Sequence, residues 1–169
     1  NVQEPTNLSV LEEIIAVQTL HLAPKHLGNI SAGVKESLAS MLLHWNEGLK
    51  AVPIVYTKAD WNVCENAAIL YDNPCVHVEV RVRWLALCPK AGVRCAGTVS
   101  NQGPEHLGLL LLNYFNVTIQ ASQLKSQYHW DDVGKTWMSN NEAVVSPGDK
   151  IEFEILDTAT DGGVLVIFG

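Results

Sequence analysis

Residues 103–119, GPEHLGLLLLNYFNVTI, set a turn signal, a glycine-marked apolar run and an alternating run end to end, and they decide the fold. Leu107 to Leu112 is too short for an independent helix and is apolar on both parities, with Gly108 where a bulge would sit; this predicts a strand buried on both faces. Phe115, Val117 and Ile119 share one side while Asn116, Thr118 and Gln120 share the other, the period-two mark of a half-buried strand. Between them, Asn113 and Tyr114 make a poor two-residue turn, because tyrosine resists positive φ, so a bulged or longer turn is expected.

Around this pair the second half is β throughout, with strands expected at 93–100, 151–156 and 164–168. Five short strands in about 80 residues suit a small antiparallel Greek-key barrel of the OB type. A polar inserted loop at 120–142 is long for such a barrel, and Tyr128, Trp130 and Trp137 are its candidate pins to the wall. The first half differs. Residues 9–15 suggest a helical turn capped by Ser9 with Glu12 three residues on, and 17–22 a strand. Residues 31–48 form the main helix, because Val34, Leu38, Met41, Leu42 and Trp45 recur at spacings of three and four, with Ser31 as its cap and Gly48 as its end.

A strand follows at 51–57, tolerating Pro53 only at an edge or near its start. A weaker one is expected at 63–70 and a turn at Asp72-Asn73-Pro74. Residues 75–88 are the longest strand-like run: Val76, Val78, Val80, Val82 and Trp84 face one way, His77, Glu79, Arg81 and Arg83 the other. Leu85 and Leu87 then turn the polar side apolar, so the strand enters a second packed environment. The fold class is therefore α+β, with an antiparallel sheet and one main helix over 1–89 and a five-stranded OB-type barrel over 90–169.

The chain has 169 residues, 47% apolar and 17% charged, with net charge −7. That composition is globular, and a single unit of this size buries about 70% of its unfolded surface. Residues 1–89 hold six basic and nine acidic side chains, and 90–169 five and nine, so neither half is a phosphate clamp. No stretch approaches the roughly eighteen apolar residues of a membrane-spanning helix, no leader is seen, and a soluble chain with trimmed ends is expected. Cys64, Cys75, Cys88 and Cys95 lack paired zinc-site spacing and suit buried thiols better than a disulfide frame.

Chemistry-bearing motifs are sparse. His129, Asp131 and Asp132 are the nearest approach to an acid and base cluster, yet nothing fixes them against a nucleophile. Glu105 and His106 lack a third ligand. With no metalloprotease helix, phosphate loop, dinucleotide fingerprint or nucleophile elbow, no catalytic residue, metal or cofactor is assigned and a non-enzyme is expected. His77, Arg81 and Arg83 form a basic stripe, read as a solvated or partner-facing sheet surface. On the barrel, Arg94, His106 and Tyr114 are the candidate RNA-facing residues, the usual task of such barrels being to stack and steer single strands. Sequons occur at Asn7, Asn29 and Asn116.

His106-Leu107-Gly108-Leu109-Leu110 followed by Phe115-Asn116-Val117-Thr118-Ile119 resembles the HIGLLV…FNASI signature of the larger stalk subunit of eukaryotic RNA polymerase I. Gly33 to Leu38, Val52-Pro53-Ile54, His77 to Val80, Cys88 to Gly92 and Pro147 to Glu154 resemble further segments of that family in the same order, so the likeness runs over about 16–168. Ala51 stands where the family's glycine is expected, and the insertion after Gln120 is long.

The resemblance implies a tip domain that docks the stalk on the polymerase body, with Val52 and Pro53 as docking candidates, followed by a projecting barrel. It implies no catalysis, partnership with polymerase core subunits, a smaller stalk subunit and the polymerase I initiation factor, a position near nascent RNA, and a nuclear, nucleolar location in ribosomal RNA synthesis. The alternatives are the equivalent subunit of polymerase II or III, which shares the two-domain plan, a secreted, disulfide-bonded β-rich glycoprotein binding module, or a free single-strand RNA-binding protein.

Overall fold

The computed structural model describes residues 7–26, 28–61, 68–69, 76–124 and 126–169. The chain divides into two compact units, one of residues 11–88 and one of 1–10 with 89–169. Residues 7–10 thus group with the barrel. Asn7 is the reason: its amide donates to the Ala96 carbonyl at 3.0 Å and accepts from the Ala96 N–H at 2.9 Å, as a neighbouring strand would. Asn7–Val10 is a 3-10 turn, and the expected capped helical turn at 9–15 is replaced by strand from Leu11 on.

The first unit holds β1 (Leu11–Leu22), helix α1 (Ile30–Ser40), β2 (Val52–Trp61), the two-residue β3 (Ala68–Ile69) and β4 (Val76–Leu87). Its antiparallel sheet runs β1-β4-β2, with β3 also on β4. Val76, Val78, Val80, Val82 and Trp84 pack with Leu20, Leu22, Val34 and Leu38 beneath α1, as the alternation of β4 requires. α1 is shorter than expected and starts earlier. Asn29 caps it by accepting from the Ala32 N–H at 3.1 Å. It ends at Ser40 because Leu43 takes φ 62° and its N–H turns to the Pro53 carbonyl at 2.8 Å. Trp45 lies past the helix, half-buried, donating to Glu47 at 2.8 Å. Gly33 is required: a Cβ there would lie 2.8 Å from the His26 ring.

The second unit holds β5 (Arg94–Gln102), β6 (His106–Leu111), β7 (Phe115–Gln120), a single helical turn Ala121–Leu124, β8 (Tyr128–Asp131), β9 (Thr136–Ser139), β10 (Lys150–Glu154), β11 (Asp157–Asp161) and β12 (Val164–Phe168). Its sheet runs β10-β5-β6-β7-β12-β11, with β7 and β12 parallel. The two ends of that order are only Ile155 and Leu156 apart in the chain. The Ile155 N–H bonds Val93 at 2.9 Å and the Leu156 N–H bonds Phe168 at 2.8 Å, so one strand bent at this point closes the barrel. The strand expected at 151–156 is thus β10 with the bend after it, and polar β11 was not foreseen because four of its five residues are exposed.

The inside is lined from both hairpin strands by Leu107, Leu109, Leu111, Phe115, Val117 and Ile119. Leu110 is only half-buried, so β6 alternates rather than being buried on both faces. The bulge falls not in β6 but opposite Gly108, at Ser100 of β5. Leu112 and Asn113, not Tyr114, take the positive φ values of 54° and 57°, closing a tight turn with the Tyr114 N–H on Leu111 at 3.1 Å.

The expected loop at 120–142 is instead a helical turn and the β8–β9 hairpin. Trp137, 1% exposed, pins it by donating to the Gly103 carbonyl at 2.9 Å. Gln102 adds a polar tie, accepting from the Trp137 N–H and Thr136 hydroxyl and donating to the Val145 carbonyl. Residues 62–67 and 70–75, with Cys64, Cys75 and the 72–74 turn, lie outside the described residues. Cys88 and Cys95 are buried thiols, and burial pushes the Cys95 thiol pKa up.

Candidate docking surfaces

The face of the first sheet turned away from α1 is built by register. Across β1, β4 and β2 its rows are Glu13, Leu85 and Val55; then Ile15, Arg83 and Lys58; then Val17, Arg81 and Asp60. Thr19 with Glu79 and His21 with His77 continue it on β1 and β4. The basic stripe of His77, Arg81 and Arg83 is brought together here; Arg83 reaches Glu13 at 3.1 Å, and beside it Lys58 reaches Asp60 at 3.0 Å. Between these ions stand Ile15, Val17 and Val55, exposed by 50%, 65% and 43%. The face thus sets exposed apolar side chains among charged ones.

Val52 and Pro53 are not on it. Both are buried, paired with Leu87 and Ala86 where β4 is covered on both faces, so their side chains are unavailable for docking. Ile15 and Val17 were missed because 9–15 reads locally as a capped turn; extending the alternation of 17–22 back to Glu13 would have found them.

The barrel candidates do not converge. Arg94 opens β5 and faces Glu154 at 3.8 Å, both largely in solvent. Tyr114, 57% exposed, sits in the β6–β7 turn with its ring edge-on to Phe115 at 5.1 Å. His106 begins β6, so it lies at the other end of that strand, roughly 17 Å away by strand rise. The β5–β7 wall between them presents Ala96, Thr98, Leu110, Asn116 and Thr118, without charge. Nucleic-acid platforms combine cations with stacking rings, and this wall joins neither.

The acid cluster serves the hairpin. Asp131 accepts from the Val133 and Gly134 N–H groups at 3.0 and 2.9 Å, and Asp132 from the Trp130 indole at 3.0 Å. Among the described residues no three His, Cys, Asp or Glu side chains gather as a metal centre. Of the sequon asparagines, Asn7 is engaged with Ala96, Asn29 caps α1, and Asn116 lies mid-strand in β7.

Residues 89–150 match the family model described as the RPA43 OB domain in RNA Pol I. The chain is 28% identical over 149 residues to human DNA-directed RNA polymerase I subunit RPA43, covering 88% of this chain and 41% of that protein. It is 25% identical over 155 residues to the fission-yeast (Schizosaccharomyces pombe) subunit rpa43, covering 89% of each. The mouse subunit is 28% identical over 149 residues, with 88% of this chain and 42% of that protein covered. The chain thus spans about two fifths of the mammalian relatives. With an RPA43-type OB barrel in one unit and similarity continuing through the other, the chain is similar to RNA polymerase I subunit RPA43 over most of its length.

Proposed function

We propose that this chain serves as a non-catalytic stalk subunit of DNA-directed RNA polymerase I. The observation that carries this reading is similarity to RPA43 subunits over 88% of the chain, through both units rather than the barrel alone. In this reading the first unit docks the stalk on the polymerase core and the smaller stalk subunit, through the outer sheet face around Ile15, Val17, Val55, Arg81 and Arg83. The barrel supports recruitment of the initiation factor in ribosomal RNA gene transcription and makes at most weak contact with nascent RNA. The protein then acts in the nucleus, at the nucleolus.

Affinity purification of the tagged chain from its own cells tests this. Co-elution of the large catalytic subunits of polymerase I is the expected result; polymerase II or III subunits reassign the chain, and no polymerase subunit at all overturns the reading. The docking face has its own test. Ile15→Ser with Val17→Ser leaves the chain's stability within about 0.5 kcal/mol, both sites being solvent-exposed, yet lowers polymerase recovery. Unchanged recovery moves the interface elsewhere. The secreted glycoprotein alternative is weakened at Asn7, whose Nδ2, the atom a glycan would need, donates to the Ala96 carbonyl.

A further inference from the structure

The outer face of the first sheet ends in two histidines. His21 and His77 are direct cross-strand partners, with ring centroids 4.3 Å apart and planes tilted by 49°. His21 is exposed and His77 half-buried. The Nε2 of His77 is shut off from solvent and has no hydrogen-bond partner among the described residues. A ring nitrogen so placed has lost water and gained nothing in exchange, which is uncommon in a settled fold. Facing residues of an antiparallel pair have Cβ atoms about 5 Å apart, a spacing from which two imidazoles can turn onto one ion. Imidazole nitrogen is a preferred donor for borderline divalent metals, at about 2.0–2.1 Å for zinc.

We propose that His21 and His77 form a two-histidine site for a divalent transition-metal ion of the zinc class. The ion supplies the partner that the His77 nitrogen lacks, and the exposed side at His21 leaves its other coordination positions to water. The nearest charged side chain along that face by register is Glu79, opposite Thr19, and no third ligating group joins the pair among the described residues. The site is therefore open and two-coordinate from the protein, unlike the closed four-ligand centres that hold whole domains together. Bound metal ties β1 to β4 where Leu22 and Val76 close the core. The inference is independent of the polymerase reading.

Thermal unfolding of the 169-residue chain at pH 7.5, with and without zinc chloride, tests it. Saturating zinc raises the midpoint by about 2–4 °C, a chelator reverses the rise, and His21→Ala abolishes it. His21 is exposed, so that variant folds; His77→Asn is the second arm, and if it fails to fold, His21→Ala decides alone. No zinc-dependent rise in the parent chain overturns the proposal. So does a rise that survives His21→Ala, since zinc is then held by other groups, cysteines included.

Discussion

The first unit's sheet and the barrel bury one face each and then part company. In the first unit, α1 covers one side of β4 and leaves the other open, with Ile15 and Val17 half to two-thirds exposed. In the barrel, the sheet curls until its ends meet at Ile155 and Leu156, and its exposed large apolar side chains, Tyr114, Leu156 and Val164 among them, stand in turns and near strand ends rather than in rows across a face. Closure removes edges, whereas an open sheet keeps both an edge and a face. The open sheet thus keeps a face and edges that the closed barrel lacks.

Two buried tryptophans probe that contrast most strongly. Trp84, fully buried under α1, meets Tyr56 edge-on at 5.9 Å, and its indole N–H has no hydrogen-bond partner. Trp137 is as buried but donates to Gly103. Replacement of either by alanine costs about 3–5 kcal/mol in urea unfolding followed by circular dichroism. Phenylalanine separates them. Trp137→Phe leaves the Gly103 carbonyl without its donor and costs about 1–3 kcal/mol more than Trp84→Phe. Equal costs would mean that the Gly103 bond contributes nothing.

Much of this architecture was legible from side-chain period alone. The alternation in β4 and β7 gave the correct inward set in both units, because a strand buried on one face writes its geometry in every second residue. Elements whose reason lies elsewhere in the chain were not legible. β11 is polar and forms because β12 offers it a ladder, and the start of β1 is strand because β4 is long enough to pair with it. Asn7 belongs to the barrel through a hydrogen bond spanning 89 residues of sequence. For the candidate surfaces the same limit applied: Arg81 and Arg83 were visible on one strand, while Ile15, Val17 and the His21–His77 pair needed the register between strands.

Barrel closure also sets a tighter steric tolerance. Gly97 faces inward, and a Cβ there would lie 2.9 Å from the Leu109 Cβ and 3.3 Å from the Phe153 ring. Gly97→Ala therefore overpacks the barrel and costs about 1–3 kcal/mol, read as a lower urea midpoint. A neutral result would show the wall to be more yielding than a closed barrel implies. The β6–β7 turn runs the opposite way. Leu112 holds φ 54° while 36% exposed, a backbone region costly to a branched side chain. Leu112→Asn suits the turn and raises stability by about 1 kcal/mol; a loss would mean the leucine packs usefully where it stands.

The smallest expected effect belongs to the open unit. Glu36 of α1 accepts from Lys25 at 3.0 Å and faces His26 at 3.3 Å. The hydrogen bond from Lys25, then its charge, hold the Glu36 carboxyl below its ordinary 4.5, with His26 adding a lesser pull. The unfolded chain therefore binds the proton more readily than the folded one. The contribution is present in full above about pH 4.5 and is lost as pH falls through the lower folded value. Because the groups are well exposed, salt screens the interaction and its size stays modest. Urea midpoints measured from pH 7 down to pH 3 at low salt should fall more steeply for the parent chain than for Glu36→Gln, and the two curves should converge at the acid end. Parallel curves would show that the Lys25 contact does not hold Glu36 in solution, leaving Gly33 and His26 packing to seat the start of α1.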